Sequence, residues 1–119
     1  MPTLAIGALF GLLAVGLGAF GAHGLEGKLT EKAVGWWETA TLYALGHGVV
    51  LTALGLAKKL GLTGLDGPGV MFAIGIILFA GSLYLMSFGA PRWFGAITPL
   101  GGVSFLIGWG WLIWIGITK

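Results

Sequence analysis

The sequence predicts an all-α integral membrane protein, a four-helix bundle threaded up-down-up-down with a short interfacial or re-entrant helix after the first span. Three observations lead there. Hydrophobic residues make up 57% of the 119 positions and charged ones 8%, with a mean hydropathy of +1.01, whereas about a quarter of a soluble domain is charged. A lipid-crossing helix needs roughly 20 predominantly apolar residues, so four use about 80 positions and leave one domain, residues 1–119, with short connections. The six basic and four acidic residues fall between apolar runs, where they mark loop ends.

That distribution excludes several function classes. A net charge of +2 spread over loop ends is not a nucleic-acid-binding patch, so no nucleic-acid partner is expected. The chain has no cysteine, hence no disulfide framework, thiolate nucleophile or Cys-based zinc or iron–sulfur site.

The first span covers residues 3–22, which carry no charge. It lacks the basic lead-in of a cleaved signal and is expected to be retained. Gly7, Gly11, Ala14, Gly18 and Ala22 recur every three or four residues and form a small-residue stripe against which another helix packs closely. The chain then turns polar at Phe20, Gly21, Ala22, His23 and Gly24, and residues 24–35 form the interfacial or re-entrant stretch. Leu25 and Leu29 stand four apart there, as on the apolar side of a surface helix.

The second span, residues 36–57, enters at Trp36 and Trp37, read as headgroup-level anchors, and leaves at Lys58 and Lys59. His47 therefore lies deep in the bilayer, where ionisable groups are costly and face the protein interior. Thr39, Tyr43 and His47 follow at spacings of four with Trp36 nearby, a polar seam running inward. Glu38 is nine residues from His47, about half a turn out of phase, and is not its intrahelical partner.

Asp66, Gly67 and Pro68 make the next turn and open the third span, residues 69–89, whose Ser82, Tyr84 and Ser87 are suited to bonds with carbonyls or other helices. The connection after it holds Pro91, Arg92, Trp93 and Phe94. In the fourth span, residues 99–118, Gly101, Ser104 and Gly108 repeat the small-residue stripe and are expected to meet the first helix. Trp109, Trp111 and Trp114 read as a lipid-interface girdle with some core filling.

The order of these motifs carries a resemblance. Phe20 to Gly24, Tyr43 with His47, Gly81 to Tyr84, and Thr98 to Gly102 resemble the domain of unknown function 423 family, to which the animal transmembrane protein 256 is similar. The resemblance spans nearly the whole chain and implies a small bacterial integral membrane protein with eukaryotic relatives; it carries over no catalytic assignment. His23, His47, Gly101 and Gly102 match recurring positions of the family pattern. Trp36, Trp37 and the tryptophan-rich carboxyl end lie outside it.

Function is expected to be non-enzymatic: a bundle in the lipid bilayer that binds a lipid-like molecule or a membrane-protein partner, a second copy of the chain included. The small-molecule ligand is left open. Candidate ligand- or proton-binding residues are His23, Trp36, Thr39, Tyr43, His47 and Tyr84. One alternative is a small transporter or proton-coupled channel along the seam at His47 and Tyr43. Another is a haem or metal held by His23 and His47, although their depths differ by ~16 Å; no catalytic or metal site is otherwise expected, and no cofactor. Lys58, Lys59 and Lys119 balance Lys28, Lys32 and Arg92 across the membrane, and the terminal amine tips the reading toward both termini in the cytoplasm.

Overall fold

The structure, a computed structural model, describes residues 1–119 as helices and turns with no strand. Four helices are long and apolar enough to cross a membrane: Thr3–His23, Glu31–Lys59, Asp66–Ser87 and, after a 3₁₀ turn at Arg92–Ala96, Thr98–Thr118. The molecule measures 48 × 26 × 19 Å, so its long axis matches the ~40–45 Å of a bilayer with its headgroups.

Glycines decide which helix touches which. On the first and second helices, Gly7 lies against the backbone of Leu51 and Thr52, Gly48 against that of Gly7 and Gly11, and Gly55 against Leu4. Early residues of one helix meet late residues of the other, so the two run antiparallel. The second and third helices are tied by Thr41 and Tyr84, whose hydroxyls share a hydrogen bond of 2.6 Å. Ser87 Oγ donates to the Ala33 carbonyl at 3.2 Å, and Lys58 Nζ meets Asp66 Oδ1 at 2.5 Å. Lys58 Nζ also donates to the Met1 carbonyl at 2.7 Å, fastening three helix ends together.

The fourth helix packs differently from expectation. Its small-residue stripe meets the third helix rather than the first: Gly101 abuts Phe79 and Gly108 abuts Phe72, while Ser104 Oγ donates to the Met71 carbonyl at 2.6 Å. A short connection keeps consecutive helices adjacent, and the phenylalanines of the third helix fill the volume those glycines leave. The first helix thus rests chiefly on the second, burying only Thr3, Gly7 and Ala14. Leu9, Leu12, Leu13 and Val15 are left outward, as lipid contact requires.

Two further departures concern local helix geometry. The short helix expected after the first span does not form: residues 24–30 are turns, and Gly27 takes φ +73, a conformation that interrupts a helix. Thr30 Oγ1 then accepts the Ala33 N–H at 3.1 Å and caps the second helix, which starts at Glu31, five residues before Trp36. In the third helix a π segment, Ile76–Ala80, separates α-helical Asp66–Gly75 from Gly81–Ser87 beside the contact between Phe79 and Gly101.

Candidate functional site

His47 lies on the inner face of the second helix, 9% exposed, and both of its ring nitrogens are bonded. Trp109 Nε1 donates to His47 Nε2 at 3.1 Å, so that nitrogen offers a lone pair. Nδ1 then carries the proton and donates to the Tyr43 carbonyl at 2.9 Å. The ring stacks on Phe105 with centroids 3.8 Å apart and planes at 12°, with Phe72 at 5.6 Å. The imidazole is a satisfied, aromatic-caged tie between the second and fourth helices. Its donor belongs to the tryptophan run that the sequence assigns to the interface girdle, and 62 residues separate the two with no pattern linking them.

Of the other residues of the expected seam only Tyr43 stays beside it, its ring parallel to the imidazole at 6.1 Å and 8° and its carbonyl accepting the Nδ1 proton. Thr39 is exposed and Tyr43 is 40% exposed, its ring tilted at 44° against Phe79 with centroids 4.6 Å apart. Trp36 is half-buried under the Lys32 ammonium, 5.7 Å from its ring. The inward stripe is instead Ala33, Trp37, Ala40, Ala44, His47 and Leu51. Trp37 is therefore a core residue and not a headgroup anchor. Its Nε1 donates to the Leu17 carbonyl at 2.8 Å, an approach that Gly21 permits, and its ring meets Tyr84 at 4.5 Å and Phe88 at 5.4 Å. Tyr84 thus joins the Trp37 and Thr41 cluster and stays apart from His47.

His23 ends the first helix and is exposed. Gly21 faces Trp37 and Gly11 faces Gly48, so the two histidines stand about 17 Å apart along the bundle axis. With residues 24–30 turning at the helix end instead of folding back, the two imidazoles do not converge, and a haem or metal shared between them has no geometric basis here.

What the same end of the bundle does contain is a groove of about 560 Å³ between the first two helices. Val34, Glu38, Thr41, Leu42 and Leu45 form its wall on the second helix, on one face at spacings of three and four. Opposite them lie Gly18, Gly21 and Ala22, the two glycines packed against Thr41 and Trp37, and the turn residues Leu25, Glu26, Gly27 and Leu29 close the end of the groove. A comparable space of about 580 Å³ lies at the far end around Met1, Thr3 and Lys58, where the Lys58 ammonium is already engaged by Met1, Thr3 and Asp66. Every buried side-chain nitrogen and oxygen has a partner, so the interior offers no idle polar group to a ligand.

The profile of the family described as Protein of unknown function (DUF423) matches residues 17–102, well over half of the chain. The chain belongs to the DUF423 family. Similar proteins include a UPF0382 membrane protein of Staphylococcus epidermidis, 48% identical over 104 residues and covering 87% of this chain and 85% of the relative. One from Staphylococcus saprophyticus is 46% identical over 114 residues, 96% of this chain and 94% of its own. The UPF0382 membrane protein YwdK of Bacillus subtilis is 49% identical over 106 residues, 87% of this chain and 86% of its own. No solved structure matches. The segment matched to DUF423 holds Gly18 through Leu45, hence the whole groove, together with His47 and Tyr84. It ends before Trp109, the donor to His47.

Proposed function

We propose that this DUF423 membrane protein is a non-enzymatic bundle that holds a lipid-like partner in the groove between its first and second helices. The groove itself carries the reading: about 560 Å³ is within the ~300–1,000 Å³ of small-molecule sites, and its walls are mainly apolar with Glu38 and Glu26 at the polar end. Catalysis has less support, because Glu38 and His47 point from different faces of one helix and both nitrogens of the imidazole are engaged. Transport along His47 and Tyr43 is likewise less favoured, since Phe105 and Trp109 close over the ring and both of its nitrogens are engaged.

On the same proposal the protein sits in the cell inner membrane or plasma membrane, with both termini cytoplasmic. The terminal amine near Lys58, Lys59 and Lys119 supports that orientation. The outward apolar face of the first helix is available to a second copy.

The test is the amount of lipid retained per chain after extraction in mild detergent. Ala22 is exposed and lines the groove, so Ala22→Leu fills it without entering the core. The wild type is expected to keep bound lipid and Ala22→Leu to lose it; equal retention by both refutes the proposal.

A further inference from the structure

Glu38 is an unusual residue in an unusual place. The second helix has 29 residues and is about 43 Å long, against a hydrocarbon core of ~30 Å. Lys58 and Lys59 mark its far end. Counting roughly 20 residues back from them, one crossing, reaches Glu38 at the opposite boundary between hydrocarbon and headgroups. The side chain makes no hydrogen bond, and the protein's single ion pair, Lys58 with Asp66, lies at the other end. A carboxylate at that depth is costly unless a cation meets it, and no Lys or Arg lines the groove it borders.

The groove continues from Glu38 into the membrane. Leu42 and Leu45 stand one and two turns deeper, about 6 and 10 Å below it, while Glu26 and Gly27 form the outer rim. The site therefore has an anionic mouth at the headgroup level and an apolar trough through much of one leaflet. A transmembrane helix, about 10–12 Å across and needing a face ~30 Å long, is poorly matched to so short a trough. A lipid chain is well matched.

We infer that the groove is selective for a membrane lipid whose headgroup ends in an ammonium, its cation held by the Glu38 carboxylate and its acyl chain lying along Leu42 and Leu45. This rests on the lipid-holding reading above and adds the headgroup chemistry. Glu38 sets the selectivity, the small exposed side chain of Ala22 leaves the groove open, and neither histidine takes part.

The experiment uses the full chain in nanodiscs of equimolar phosphatidylethanolamine and phosphatidylglycerol, with retained lipids identified by native mass spectrometry. The wild type is expected to retain the ethanolamine lipid on the order of threefold over the glycerol lipid, the selectivity of a partly exposed ion pair. Glu38→Gln brings the ratio to about one, and its unfolding midpoint stays at the wild-type value because Glu38 is exposed and unbonded. Ala22→Leu removes retained lipid of both kinds. A wild-type ratio near one, or an unchanged ratio in Glu38→Gln, overturns the ammonium assignment. If lipid of either kind is still lost in Ala22→Leu, the broader lipid-holding reading survives that result. Retention that ignores Ala22→Leu overturns both, and a peptide released by Ala22→Leu in place of lipid overturns the choice of occupant.

Discussion

If the His47 imidazole is a structural tie, its bond to Trp109 has a measurable coupling energy. The perturbation is a double-mutant cycle of His47→Leu and Trp109→Phe. His47→Leu removes two hydrogen bonds, at 2.9 and 3.1 Å, and the stack on Phe105; Trp109→Phe removes the 3.1 Å bond and part of the edge contacts with Phe72 and with the imidazole. Hydrogen bonds between membrane helices average about 0.6 kcal/mol and reach about 1.7. Each substitution is therefore expected to cost about 1–2 kcal/mol. Losses outside the pair cancel in the cycle, leaving a coupling of about 0.6–1.7 kcal/mol. Unfolding in mixed micelles against the mole fraction of dodecyl sulfate, followed by far-ultraviolet circular dichroism, reads each value. A coupling within about 0.3 kcal/mol of zero, the limit for independent sites, refutes the tie.

The glycine contacts make sharper predictions by contrast. Gly7→Ala places a methyl on the Leu51–Thr52 backbone, whereas Gly16→Ala meets nothing within 4 Å; in the same unfolding assay the first is expected to cost about 1–3 kcal/mol and the second to be neutral or slightly stabilising. Gly101→Ala presses on the Phe79 backbone and is expected to destabilise, while its neighbour Gly102→Ala faces open space and leaves the midpoint within about 0.5 kcal/mol of wild type.

These contrasts also mark where sequence reasoning stopped. Four crossings were legible because a lipid solvent demands long apolar helices with every backbone group bonded internally, and the family was legible because its motifs keep their order. Which face of each helix turns inward was not. A helix apolar all round carries no 3.6-residue polarity stripe to read, so Thr39 and Thr41, or Trp36 and Trp37, look equivalent until packed. Thr41 and Trp37 are the inward pair because Gly18 and Gly21 leave room for them on the first helix. Only small residues kept a partial signal: the stripe at Gly7 and Gly11 was visible, but the partners Gly48 and Gly55 were not singled out. The stripe at Gly101 and Gly108 was visible too, yet its partner is set by Phe72 and Phe79 on the third helix. The π segment at Ile76–Ala80 and the bond from Trp109 to His47 arise from contacts between distant residues, and no local pattern announces either.

The structure moves attention from the histidines to the groove beside Glu38, which the seam reading passed over because Glu38 is out of phase with His47. One comparison tests that shift directly: the lipid retained per chain by His47→Asn and by Ala22→Leu, purified side by side. The account predicts that His47→Asn keeps the wild-type amount despite its lower stability and that Ala22→Leu loses it. Loss in His47→Asn with full retention in Ala22→Leu would contradict it and return the site to the imidazole.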